Sequence, residues 1–195
     1  MMLTPGTLSK RPLIARIVPT VHSFFMDSST SHLLGELIRG RSVASLATLH
    51  EGLPFASMVP YAVWHDDAGE RLLFVTHVSR LSAHTRDMLE SPQVCLMITA
   101  PETGDDLESM PPQALPRVSI PAVATFIDRE HADYSSLALA YLEKFPFAAD
   151  WFQLGDFSIV AFAPSGSARF IAGFARAMTV STEQLHAAIG GAGHA

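Results

Sequence analysis

The sequence is poor in charge and in cysteine, and it has no concentrated basic segment. Charged residues make up 16% of its 195 residues, and the formal net charge is -6. Sequence-independent nucleic-acid binding depends on clustered Lys and Arg, so we expect no nucleic-acid partner. With one cysteine, Cys95, no intrachain disulfide can form, which favours a reducing compartment and a cytoplasmic location. Cys95 lies in an apolar run, where we expect it to be a small buried side chain.

Long hydrophobic runs are missing as well. No segment approaches the roughly 20 apolar residues that cross a bilayer, so we expect no membrane association. The apolar run near the N-terminus is interrupted by two prolines and an arginine and makes a poor signal peptide. We therefore interpret residues 1–27 as an extension or a dimer arm, and either Met1 or Met26 fits as the start.

Several motifs that carry chemistry are also absent. The chain has no glycine-rich dinucleotide fingerprint, no P-loop and no G-x-S-x-G nucleophile elbow. Its nine histidines do not follow a zinc-protease spacing, so no metal site is predicted. Asp105 and Asp106 lie in an acidic, proline-rich stretch that we interpret as a solvated loop and not as an acid/base pair.

Apolar residues, by contrast, make up 48% of the chain, which is typical of a compact folded protein. The low charge suggests that a partner covers part of the surface, and we expect a homodimer. Alternating βαβ units are absent, which argues against a Rossmann fold. We expect a mainly β protein with helices, of the α+β class, built as a six-stranded antiparallel split β-barrel. The barrel domain is assigned to residues 28–180, and a short helix and tail to residues 181–195.

The hydrophobic periodicity and the turn residues place the individual elements. A capping box at residues 181–184 begins the last helix. Helices are predicted at 28–40, 81–90 and 131–144, and strands at 42–49, 53–64, 71–76, 93–99, 117–127, 156–163 and 168–180, with a loop at 101–116.

The segment that follows the third strand is a candidate anion site. Here a strand ends and a helix begins, and the first amides of a helix lack partners and carry the positive end of its dipole. Arg80 and His84 share a face if both are helical, while Ser79, Ser82 and Thr85 add hydroxyl donors. We interpret this segment as a phosphate-monoester site; the alternative is an ordinary surface helix with good caps.

The second strand carries a weaker indication of a ligand. Ser57 is polar within an apolar strand, and Pro60 cannot donate to a sheet ladder, which marks an edge or a bulge. The unpaired edge of a strand can bond a planar heterocycle through its backbone. A distorted edge strand at a dimer interface explains the same residues equally well.

A series of motifs occurs in a familiar order between about residues 30 and 180. The chain thereby resembles the pyridoxamine 5'-phosphate oxidase-like FMN-binding split-barrel superfamily, and more narrowly its haem-utilisation (HugZ-type) branch. The matching motifs are A-T-L-x-x-G-x-P-x-x-S at 47–57, S-x-L-x-x-H-T-x-D at 79–87, S-P-Q-V-C-L at 91–96, P-R-V-S-I at 116–120, Y-L-x-x-F-P at 141–146, L-G-D-F at 154–157 and F-x-x-G-F-A-x-A at 170–177.

The resemblance implies a bound FMN and a site built across a homodimer, to which a second copy contributes Arg169 or Phe174. It also exposes departures, because the family has Asn, Gly, His and Gly where this chain has Asp87, Pro121, Phe145 and Ala175. The implied contacts of the isoalloxazine are Ser57, Met58, Val59, Val75 and Thr76, and those of the phosphate are Ser82, His84 and Thr85, with Arg80 nearby.

Three functions follow from the resemblance. The first is an FMN-dependent oxidoreductase of unknown substrate, in which the flavin carries the redox chemistry. Pyridoxamine-phosphate oxidation itself is less expected, because S-M-V-P-Y-A at 57–62 replaces that enzyme's basic strand. The second is haem binding or degradation, with Arg169, His186 or His194 near the haem. The third is a non-catalytic flavin-binding sensor or interaction module.

Overall fold

The computed structural model describes residues 26–102 and 111–190, which contain four α-helices and nine strands. Two 3-10 segments, Pro112–Ala114 and Pro146–Gln153, complete the regular structure of these ranges. The helices are α1 (Ser28–Gly40), α2 (Ala83–Glu90), α3 (Tyr134–Lys144) and α4 (Thr182–Gly190); the strands are β1 (Val43–His50), β2 (Leu53–Pro60), β3 (Ala62–His65), β4 (Leu72–Ser79), β5 (Gln93–Thr99), β6 (Arg117–Ile127), β7 (Phe157–Pro164), β8 (Ala168–Ile171) and β9 (Ala177–Val180).

All nine strands belong to one antiparallel sheet, which confirms the predicted α+β class. The strand order is β2-β1-β5-β6-β7-β4-β3, and β8 pairs with β6 and with β9. The structure has nine strands and not the six of the expected barrel, because two of the seven strand segments placed from the sequence are each broken in two. The first breaks at Tyr61, whose hydroxyl turns to the Ile38 carbonyl at 2.6 Å. The second breaks at a turn in which Gly173 and Ala175 have φ angles of 150° and 57°.

Other boundaries differ by a few residues. β4 runs to Ser79, three residues beyond the prediction, and the turn that follows it delays α2 to Ala83. α3 begins at Tyr134 because turn hydrogen bonds occupy the preceding residues. Residues 1–25, 103–110 and 191–195 lie outside the described ranges. Most of the predicted arm, the pair Asp105 and Asp106, and His194 therefore lie outside them as well.

The main core lies between the inner face of the sheet and the helices α1 and α4. Leu34, Ile38, Leu46, Phe74 and Leu96 are fully buried there. The burial of each such side chain contributes about 1.5–3 kcal/mol. α1 and α4 pack so closely at Gly35 that an added Cβ would collide with the Ala188 carbonyl oxygen.

A second, aromatic cluster lies beneath α3. His77 of β4 stacks on Phe152 with ring centroids 3.9 Å apart, and Tyr141 packs against Phe145 at 4.9 Å. Phe145, which replaces a family histidine, is only 6% exposed and is therefore a core residue here. None of the four helices in the described ranges combines the length and apolar character of a membrane span.

Cys95 is less buried than the sequence predicted. Its side chain points to the outer face of β5, between the buried Val94 and Leu96, and is only partly covered. Partial burial still raises the pKa of the thiol above its usual value.

Candidate functional site

The barrel is split between β2 and the second half of β4. β2 pairs only with β1, and β3 covers β4 only as far as the pair Ala62–Val75. Residues 76–79 therefore have no strand partner on that side within the described ranges, although β2 approaches β4 there. Backbone donors and acceptors on both edges are thus available to a planar ligand, and the gap leads directly to the start of α2.

The five residues predicted to contact a flavin ring lie on these two edges, with unequal exposure. Met58 is 60% exposed and Ser57 partly so, whereas Val59, Val75 and Thr76 are buried. Within one copy of the chain, only the side chains of Met58 and Ser57 can therefore contact the ring. The hydroxyls of Ser57 and Thr76 are buried without a partner among the described residues. An unmade hydrogen bond of this kind is costly, so a polar ligand atom at Ser57 would be stabilising.

The predicted phosphate hydroxyls are brought together, but their hydrogen bonds go mainly to the Ser79 carbonyl and to Asp156. Ser82 and Thr85 both donate to the Ser79 carbonyl, at 2.9 and 2.8 Å, and their oxygens are 2.7 Å apart. Ser79 donates to the Asp156 carboxylate at 3.0 Å, which ties the turn to the L-G-D-F motif. The hydroxyls therefore shape the turn. Ser82 caps α2 without a side-chain hydrogen bond, so the first amides of the helix remain open to an anion.

Arg80 does not share a helix face with His84. It precedes the first helical residue, and its Nε donates to the Ser158 hydroxyl of β7 at 3.1 Å. Its side chain faces a cavity that Arg129 also lines. His84 is half-buried, and burial lowers its pKa, so it presents a neutral imidazole to the site.

The sequence did not predict a pair of titratable residues, Asp87 and His50, on the inner face of α2. The Asp87 carboxylate is 3% exposed, accepts from the Thr48 hydroxyl at 2.7 Å and lies 2.7 Å from Nδ1 of His50. Burial raises the pKa of Asp87, but these hydrogen bonds outweigh it and the pKa is lowered overall. The hydrogen bond to Asp87 raises the pKa of His50. The Asp87 carboxylate thus points towards β1, although its charge still favours protonation of His84.

The remaining residues named from the family lie elsewhere. Arg169 donates to the Thr179 hydroxyl at 2.7 Å, and Phe174, 73% exposed, lies on the β8–β9 turn. Ala175 adopts the left-handed conformation that favours the family's glycine. Nε2 of His186 is buried and has no partner in the described ranges.

The outer face of β2, β1 and β5 is apolar and open. Met58 and Met97 flank Ser45 across the three strands, and they are 60% and 40% exposed. The next row is formed by Ala56, Ala47 and Cys95. A flat apolar sheet face of this kind is typical of a surface that another protein covers.

Comparison with known proteins places this geometry in context. A family model described as pyridoxamine 5'-phosphate oxidase matches residues 32–168. The chain is 31% identical over 142 residues to the non-canonical haem oxygenase HOZ of Arabidopsis thaliana, covering 72% of this chain and 39% of that protein. It thus spans about two fifths of the length of the plant relative.

Solved structures show the same fold. A haem-binding protein of Mycobacterium smegmatis is 25% identical with a TM-score of 0.67, over 80% of this chain and 60% of that one. HutZ, a haem-storage protein of Vibrio cholerae, is 24% identical with a TM-score of 0.57, over 68% of this chain and 88% of that one. Both similarities agree with the split-barrel fold expected from the sequence.

Proposed function

Since this chain belongs to the pyridoxamine 5'-phosphate oxidase family, we propose that it is an FMN-binding oxidoreductase. The isoalloxazine would lie in the gap between β2 and β4, and the phosphate at the N-terminus of α2. When bound, the flavin supplies the redox chemistry. The chain's residues would bind and orient it, and among the described residues no side chain at the gap has the geometry of a dedicated general acid or base.

One observation carries this proposal. The unpaired edge of β4 ends at the turn that leads into α2, and the first amides of this helix have no side-chain cap, so a planar group and a phosphate have adjacent places. Amides at a helix N-terminus favour an anion through both hydrogen bonds and the dipole. Ser57 adds a buried hydroxyl that lacks a partner among the described residues.

We also propose that the active form is a homodimer. The apolar outer face of β2, β1 and β5 would lie in the interface, since Met58 and Met97 are otherwise left in water. Burial of such a face provides the main driving force for association. Met58 would then connect the interface directly with the flavin gap.

Ser82→Asp provides a sharp test of the phosphate position. Aspartate is a favoured N-cap residue, which should offset part of the stability lost with the hydrogen bond from Ser82 to the Ser79 carbonyl. Its charge should repel the FMN phosphate, and we expect at least a tenfold loss of FMN affinity, about 1.4 kcal/mol. Fluorescence titration with FMN and with riboflavin measures this loss, and riboflavin, which lacks the phosphate, should bind as to the wild type.

Ser82→Asn is the matched control, because it caps equally well without charge and should keep FMN affinity within about twofold. Wild-type affinity for FMN in Ser82→Asp would show that the phosphate binds elsewhere. Equal losses for FMN and riboflavin would show a general disturbance of the gap instead.

Haem binding is the second candidate, because the plant and mycobacterial relatives are a haem oxygenase and a haem-binding protein. His50 is the described histidine best suited to bind iron. A carboxylate holds its Nδ1, which leaves Nε2 free on a side chain that is 39% exposed. Histidine ligands of metals commonly have such a carboxylate partner. His186 is a poorer candidate because its Nε2 is buried.

A further inference from the structure

A cavity of about 420 Å³ lies among α1, β3, α3 and α4. None of the residues assigned to the flavin gap or to the turn before α2 lines it. Its polar wall consists of Arg39, His65, Glu143 and Lys144, and Ala62 and Ile189 contribute apolar surface. The volume is within the range of small-molecule sites.

Lys144 is the unusual group in this wall. Its half-buried Nζ donates to the Arg41 carbonyl at 2.6 Å and lies 4.5 Å above the centre of the Tyr61 ring. These contacts use one of three N–H donors, and no carboxylate of the described ranges forms an ion pair with it. Burial lowers the pKa of Lys144 to about 8. A desolvated ammonium without a counter-charge is costly, and a bound anion would remove that cost.

The other polar groups of the wall are held in place by the fold. Nη1 of Arg39 donates to the Ala188 and Ile189 carbonyls of α4, and Nη2 pairs with Glu36. His65 lies 5.2 Å from His186 between ring centroids, and burial, aided by His186, lowers its pKa. The wall thus presents a fixed guanidinium, a neutral imidazole and one ammonium without a counter-charge. Glu143, its acidic residue, is exposed.

We propose that this cavity binds a small organic anion, with a carboxylate or phosphate head on Lys144 and a short apolar body against Ala62 and Ile189. Arg39, which belongs to the same polar wall, would orient the head. The site is separate from the flavin gap, and the inference does not depend on the FMN proposal.

The binding should be linked to protons, and benzoate is a suitable probe because its charge is constant above pH 6. At pH 8 about half of the Lys144 amines are neutral, since the pKa is about 8. The anion favours the charged form, so binding should take up about half a proton through Lys144 at pH 8. Calorimetric titration of the full chain in two buffers of different ionisation enthalpy measures this uptake.

Substitutions of Lys144 separate the effect of its positive charge from the effect of its protonation. Lys144→Arg keeps a permanent charge and should bind benzoate without proton uptake at pH 8. Lys144→Met should lose at least tenfold in affinity, whereas Glu143→Gln, on the same wall, should bind at least as well as the wild type. Sulfate, which has only the head, should bind weakly with the same uptake, and benzyl alcohol, which has only the body, should not bind detectably.

Three results would overturn the inference. The first is benzoate binding at pH 8 without proton uptake, and the second is equal affinity in wild type and Lys144→Met. The third is benzyl alcohol binding as tightly as benzoate. If Lys144→Met does not fold, persistent proton uptake in Lys144→Arg would contradict the assignment just as directly. Ser82→Asp should leave all these values unchanged, so the anion site and the flavin site can fail independently.

Discussion

Two histidines, one beneath α2 and one beneath α3, have opposite surroundings. His50 is partly exposed, and the hydrogen bond to Asp87 raises its pKa. His77 is 6% exposed and stacks within 9° of parallel on Phe152. Burial, with a smaller contribution from Arg129, lowers the pKa of His77 to about 4.

The difference separates a histidine that can serve a ligand from one that serves the core. His50 is oriented by its carboxylate and keeps one ring nitrogen towards solvent, as a metal ligand or proton carrier requires. Nδ1 of His77 is buried and has no partner in the described part of the chain. We therefore interpret His77 as an aromatic packing residue that remains neutral.

The largest expected effect comes from removing the titration of His77. A lowering of the pKa from 6.5 to about 4, at 1.36 kcal/mol per unit, corresponds to about 3 kcal/mol. Between these values the unfolded chain binds a proton that the folded chain does not, so stability falls as the pH falls from 6.5 to 4. His77→Phe keeps the stack and should remove most of this loss.

Urea unfolding at pH 7.5 and pH 4.5 measures the effect. The advantage of His77→Phe over the wild type should grow by about 2 kcal/mol at the lower pH. A parallel fall in stability of His77→Phe and wild type would show that His77 is protonated within the fold.

A smaller effect is expected from Asp87→Ala beneath α2. The substitution leaves the buried Thr48 hydroxyl without its acceptor, which costs about 1–3 kcal/mol of unfolding free energy. Thr48→Val should remove most of that cost in the double variant, because neither partner then remains unpaired. Strictly additive losses would contradict the assigned hydrogen bond. FMN affinity should change little, since Asp87 points away from the start of α2.

Local signals explain what the sequence predicted well. β5 and β6 have the predicted bounds, because alternating apolar residues and flanking turns are sufficient to define them. The helix α2 was likewise indicated by its serines and by the change in periodicity, whereas the anion site at its start stays a prediction. The pairing of His50 with Asp87 and of Lys144 with the Arg41 carbonyl joins residues 37 and 103 positions apart. No local pattern encodes such contacts, although the spacing of Thr48 and His50 does place them on one face of β1.

The break of the second strand was missed for a similar reason. Pro60 indicated an irregular edge, but the break at Tyr61 depends on its hydrogen bonds to Ser42 and Ile38 of the preceding segments. The predicted direction of the Arg80 side chain was wrong because a three-residue turn lies between β4 and α2. That turn depends on Asp156, far along the chain.

The most direct test of the central claim is the visible spectrum of the protein after mixing with FMN or haemin and removal of unbound ligand. We expect retained flavin bands in the FMN sample, with tighter binding of FMN than of riboflavin. Loss of all flavin, together with a haem Soret band that His50→Ala shifts or abolishes, would contradict the FMN proposal and support the haem alternative.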